Sequence, residues 1–292
     1  MVRVHQSRSL PPQARRLGFT VVELLVVIGV VSLLLGILVP ALSLMREQAQ
    51  HVTERNSARQ ATVAWTSYAF DHDGRLLPGY RSGRPASTAD GEPIADQTIG
   101  VAANRYPWRL APYLAHNFDV LYVNGQNDVL DDLRNGDYSE FLYTSATYPS
   151  LGLNTTWVGG DEIDGCFNPS IIEFLGRFYS DRLSAVRNPS KVIVFCSARG
   201  DSGVGGSGGT ITEGHFRVSS PNFSNRRWEA DYDPERVMSF GNVSARWGND
   251  DEAVVSRIDG SVDSLDLIQL QDMRNWADAA TDADWRLAPP GS

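Results

Sequence analysis

From Phe19 to Val39 the chain places sixteen large apolar residues in 21 positions, and Glu23 is the only charge among them. On an insertion scale those side chains contribute about −5 to −10 kcal/mol, against at most about +3 kcal/mol for one acid. The pattern predicts a helix that enters a membrane and carries its glutamate with it. Beyond Pro40 the continuous run gives way to helical spacing. Leu42, Met45, Ala49, Val52, Ala58, Thr62, Trp65 and Ala69 recur on one face, while Arg46, Glu47, Gln50, Glu54, Arg55 and Arg59 take most other positions. No turn signal separates the halves, so one helix is predicted over 19–70. It would be about 78 Å long, against a hydrocarbon core of about 30 Å. An anchor alone does not need that length.

The remaining pattern is mixed. Asp71-His72-Asp73-Gly74 ends the helix, with Gly74 suited to a left-handed cap. The D-x-D-G string also suggests a fragment of a calcium loop, but no glutamate follows at the required distance. Residues 79–104 read as a polar surface loop, and 106–114 as a short aromatic helix or turn. Short helices are predicted over 129–134 and 169–178, strands over 151–158 and 191–197, and a last helix over 268–279. The stretch 253–265, with Asp259-Gly260 at its centre, predicts a hairpin closed by a primed turn. The fold class is therefore α+β, a long N-terminal helix on an antiparallel sheet with loop-rich insertions. Three segments follow: 1–18, 19–74 and 75–292.

Charge adds an orientation. Residues 1–18 hold four arginines and no acid, so the N-terminus is expected in the cytoplasm and the remainder outside the inner membrane. Loss of those residues would take the net charge from −9 to −13. An acidic domain argues against nucleic acid as a partner, because phosphate binding rests on cationic side chains. A secretory signal with a cut near Val39-Pro40-Ala41 is the rival reading, but its apolar core is ordinarily shorter. Within the span, Ser32 and Gly36 form a small-xxx-small pair that permits close helix approach in lipid. Pro40 removes the hydrogen bond to the Gly36 carbonyl and marks a hinge. Cys166 and Cys196 are compatible with one disulfide in an oxidising compartment, or with two buried thiols.

The stretch Arg15-Arg16-Leu17-Gly18-Phe19-Thr20-Val21-Val22-Glu23 resembles the prepilin processing site of type IV pilins and type II secretion pseudopilins. The resemblance implies cleavage between Gly18 and Phe19 by a prepilin peptidase and methylation of the new Phe19 amine. It implies other pilin or pseudopilin subunits and inner-membrane lipid as partners. Glu23 would neutralise the Phe19 amine of an adjacent subunit, since a carboxylate in lipid needs a partner. Residues 59–78 also resemble the helix end of a large bacterial pilin-like group with a C-terminal processing-associated domain. That group has a histidine ahead of an Asp–Gly pair like Asp259-Gly260. Asn249 stands there, or Trp247 if Asp250-Asp251 are read as an insertion.

No motif commits to catalysis. Residues 200–209 contain G-x-G-x-x-G (Gly203, Gly205, Gly208), G-x-S-x-G (Gly205, Ser207, Gly209) and Gly200-Asp201-Ser202-Gly203. None is followed by the helix start that a dinucleotide site or nucleophile elbow requires, so the stretch reads as a glycine-rich loop. The five histidines are scattered and read mostly as solvated. Asp131-Asp132 and Asp161-Glu162 read as polar-loop acids with nothing to raise a pKa. Asp250, Asp251 and Glu252 crowd oxygen ligands and are the best calcium candidate, beside the plain reading of a solvated acidic turn. No other cofactor is implied. Two further classes stay open. One is a tethered binding module for glycans, using exposed rings of Trp108, Trp157 and Trp228. The other is a tethered hydrolase, which the histidine placement disfavours.

Overall fold

The computed structural model describes residues 20–83, 86–87, 92–94, 100–123, 125–136, 138–201, 211–249 and 251–291. Helix α1 runs Val21–Asp71 and is helical on both sides of Pro40. At its end, the Gly74 N–H reaches the Ala69 carbonyl at 2.7 Å and Gly74 takes φ +75°, the left-handed cap that its lack of a Cβ permits. His72 closes the same turn, stacking on Tyr68 and meeting the Tyr68 carbonyl at 2.8 Å. The chain divides into two compact units, Met1–Gln48 and Ala49–Ser292, so the second half of α1 belongs to the globular unit.

After α1 come a small ribbon, β1 (Ala86–Ser87) with β2 (Pro93–Ile94), then helices α2 (Tyr106–Leu110), α3 (Gln126–Asn135) and α4 (Tyr138–Thr147). Strand β3 (Leu151–Asn154), helix α5 (Pro169–Leu175) and strand β4 (Ile193–Ser197) follow. Strands β5 (Arg199–Asp201) and β6 (Ile211–Glu213) form a second ribbon. Then come β7 (Arg217–Val218), β8 (Glu252–Arg257), β9 (Val262–Asp266) and helix α6 (Leu267–Leu270). The main sheet has the order β7-β3-β4-β8-β9. Its pairs are antiparallel except β3 with β7, so the sheet is mixed at one edge.

Alternation along β8 assigns the two faces. Val254 joins a core with Ala58, Ala61 and Trp65 of α1, whereas Ala253 and Val255 join a second core with Trp157, Trp228 and Trp276. A register shift between Ile193 and Phe195 puts Val194 and Phe195 in succession into the first core. The face of α1 toward the sheet is built from Ala58, Ala61, Ala64 and Ala69 around one large ring, Trp65. Small side chains let a helix lie close to a sheet.

Three expectations change, and one element is added. The strand over 151–158 stops at Asn154, because the chain turns back with Val158 N–H on the Asn154 carbonyl and Gly159 and Gly160 at positive φ. The hairpin turn is not primed: only Gly260 takes positive φ, and Arg257 N–H bonds Ser261 O around a three-residue loop, the bulged form. The last helix is only four residues long. Asp266 caps it through a capping box with Gln269, and Asp272 caps a separate 3₁₀ turn six residues on, so the helix restarts instead of continuing. Finally, α4 forms from a Tyr-, Ser- and Thr-rich stretch whose own helix propensity is low.

Candidate assembly surface

Gly18 and Phe19 lie outside the described residues. Glu23 lies in the first turn of α1, where Thr20 and Glu23 cap the helix reciprocally. Thr20 N–H and the Thr20 hydroxyl donate to Glu23 Oε2 at 2.9 and 2.8 Å, and Glu23 N–H donates to Thr20 Oγ1 at 3.2 Å. This is the S/T-x-x-E capping box, and it gives the carboxylate a partner inside its own chain. The Thr20-to-Glu23 spacing carries that signal in the sequence.

The large apolar side chains from Val21 to Val39 are 47% to 74% exposed, so none of the described residues buries them. This helix is long and apolar enough to cross a membrane. Ser32 and Gly36 lie within it, and an added Cβ at Gly36 would meet nothing within 4 Å. At Pro40 the helix loses one backbone donor, and the Ser43 hydroxyl donates to the Val39 carbonyl at 3.2 Å beside that gap.

In the globular unit the two faces of α1 differ sharply. At 100° per residue, Glu54, Ser57, Ala61 and Trp65 point one way, and all are buried or nearly so. Val52, Val63 and Phe70 point the opposite way at 57%, 62% and 73% exposure. Periodicity placed Val52 on the packed face and Glu54 on the solvated one; the structure reverses both. Glu54 is fully buried because each oxygen is met. The Ser197 hydroxyl donates to Oε1 at 2.7 Å, Trp247 Nε1–H donates to Oε2 at 3.1 Å, and the Arg246 guanidinium stands 4.0 Å from Oε2. Around it, His51 meets the Ser264 hydroxyl at 2.7 Å and stacks on Trp247, Arg55 donates to the Val262 carbonyl at 3.1 Å, and the Thr62 and Ser256 hydroxyls meet at 2.7 Å. Glu54 sits four residues before Ala58 and seven before Ala61, a spacing that marks it as core-facing.

Other expectations resolve individually. Cys166 and Cys196 are free, buried thiols, not a disulfide, and burial pushes the Cys166 thiol up to about 12. Asp250 lies outside the described residues. Asp251 is exposed and Glu252 opens β8, where its backbone pairs with Trp247 at 3.0 and 3.1 Å. Among the described residues no three His, Cys, Asp or Glu side chains gather as metal ligands. Residues 202–210, with most of the glycine-rich stretch, also lie outside the described set. Asp161 is buried, not a loop acid in water, and desolvation raises its pKa despite Arg217 at 3.7 Å. His215 is half-buried, and loss of solvent lowers its pKa to about 4. Trp108, Trp157 and Trp228 are all buried in the cores, where Trp157 donates to Ser220 Oγ and Trp228 to the Ser219 carbonyl. They are core residues and offer no exposed platform for a sugar.

An apolar N-terminal helix whose second half packs on a mixed β-sheet is a pilin-like architecture. No family model matches the chain, and no curated protein or solved structure matches it.

Proposed function

We propose that the protein is a prepilin-type structural subunit. A prepilin peptidase cuts after Gly18 and methylates the Phe19 amine. The mature chain then waits in the inner membrane with its globular unit on the periplasmic or outer side. From there it joins a type IV pilus-like filament or a type II secretion pseudopilus. The role is structural, without a reaction of its own. The observation that carries this reading is that Val52, Val63 and Phe70 stay exposed opposite the face that α1 packs on the sheet, on a side they share with Asn56 and Arg59. A simple tether needs a covered inner face only. A spine that packs against other helices needs an apolar outer face as well, continuing past the membrane. In the lone subunit Glu23 is held by Thr20; in the filament its carboxylate pairs with a neighbour's Phe19 amine, which sets the axial register.

Cross-linking tests this. A Val63→Cys chain, its native thiols being buried, is treated in cells with a short bismaleimide. A ladder of subunit multimers is expected, and Glu23→Ala in the same background removes the ladder while the protein stays in the membrane fraction. A monomer-only pattern from Val63→Cys, or a ladder untouched by Glu23→Ala, contradicts the proposal.

A further inference from the structure

A cavity of about 650 Å³ opens on the globular unit, and its wall includes Arg105, Thr147 and Arg217. That volume is within the range of small-ligand sites. Buried polar groups are ordinarily hydrogen-bonded, yet four buried atoms of these three residues have no hydrogen-bond partner: Arg105 Nε and Nη1, Thr147 Oγ1 and Arg217 Nη1. Three of the four are N–H donors that no acceptor of the chain meets.

The cations of the wall differ in how they are held. Arg217 stands 3.7 Å from Asp161 and 3.8 Å from Asp164, and Arg236 is paired with Glu229 and Asp233. Arg105 enters none of the ion pairs among the described residues. Its guanidinium is instead flanked by rings, 5.5 Å from the centre of Tyr143 and 5.3 Å from that of Phe216. An arginine in an aromatic wall with unused donors is suited to a carboxylate on a ligand that also presents an apolar face. Asp201 and Glu235 also line the cavity and disfavour a bare anion. They accept hydrogen bonds, so they suit a ligand that carries hydroxyl donors beside its carboxylate.

We infer that this cavity binds an acidic sugar unit, a uronate, with its carboxylate on Arg105, its hydroxyls on Asp201, Glu235 and Thr147, and its ring against Tyr143 and Phe216. The site is independent of the exposed face of α1 and does not rest on the filament reading. It differs too from the tryptophan platform, since none of Trp108, Trp157 and Trp228 lines it.

Equilibrium dialysis of the full-length protein in detergent, with labelled D-glucuronate as probe, tests the site. Saturable one-site binding is expected. D-glucose should bind at least about tenfold more weakly, and Arg105→Gln should lose about tenfold or more at an unchanged melting temperature, as expected for one charge-assisted hydrogen bond. Absence of saturable binding, equal binding of D-glucose, or full affinity in Arg105→Gln overturns the inference. Acetate or L-alanine binding as well as D-glucuronate overturns the sugar assignment. Should Arg105→Gln lower the melting temperature, Tyr143→Ala decides, because that side chain is half exposed. A severalfold loss supports the site, and unchanged affinity overturns it.

Discussion

Trp247 Nε1–H donates to Glu54 Oε2 at 3.1 Å, joining a residue at the mouth of β8 to the middle of α1 across 193 positions of sequence. The other carboxylate oxygen takes the Ser197 hydroxyl, which itself accepts from Val254 N–H at 2.9 Å. One acid therefore ties the helix to β4, to the backbone of β8 and to the loop before it. Burying a carboxylate is costly unless every lone pair is used, and removing the acid leaves the buried Trp247 indole N–H without its acceptor and opens a void between α1 and the sheet. Glu54→Ala is expected to cost about 3–5 kcal/mol, read as a lower urea midpoint. Trp247→Phe keeps the ring stacked on His51 but removes the donor, and should cost about 1–3 kcal/mol.

The outer face of α1 should behave in the opposite way. Val63→Lys and Phe70→Lys alter side chains that touch little of their own chain, so stability should move by no more than about 0.5 kcal/mol. Assembly should fail in both, because a charge then sits in the helix–helix contact. Melting curves and filament yield from the same strains measure the two effects separately.

Cys166 and Cys196 should be silent to thiol reagents in the folded protein. Burial raises both thiol pKa values, Cys166 to about 12 and Cys196 further, so little thiolate exists to react. Ellman titration is expected to count no thiols under native conditions and two after guanidinium unfolding, with no reductant needed.

His215 predicts an acid sensitivity. Its Nδ1 meets the Arg217 carbonyl at 2.8 Å, a contact that a proton on Nδ1 satisfies. The folded pKa is lowered from 6.5 to about 4, chiefly by desolvation. Between those two values the unfolded chain binds the extra proton and the folded chain does not. Stability from this group is complete above pH 6.5 and is lost as pH falls toward 4, by at most about 3 kcal/mol. The melting temperature of wild type should fall over that window more steeply than that of His215→Asn.

Much of the fold was legible because long periodic or strongly punctuated segments constrain one answer. The helix over 19–70 is observed as Val21–Asp71, the buried run over 191–197 contains β4, and Asp259-Gly260 lies between β8 and β9. What was hidden depends on contacts distant in sequence. Arg217–Val218 is two residues long and becomes a strand only because β3 offers it an edge. Glu54 has the spacing of a core-facing residue, but the partners that let a carboxylate be buried, Ser197 and Trp247, come to it only in the folded chain. The cavity is assembled from α4, β5, β7, the loops around them and Arg105 just before α2, and no local pattern links Arg105 to Thr147 and Arg217. In the sequence Trp247 marks only the place of an expected histidine; its use as the donor to a buried acid arises in the folded chain.

The filament reading depends on a free amine created one turn ahead of Glu23. Intact-mass and N-terminal peptide mass spectrometry of the protein isolated from its own membranes measures that directly. A chain beginning at Phe19 with a methylated amine is the predicted result. A chain that still begins at Met1, or one that begins after Ala41, would contradict the account.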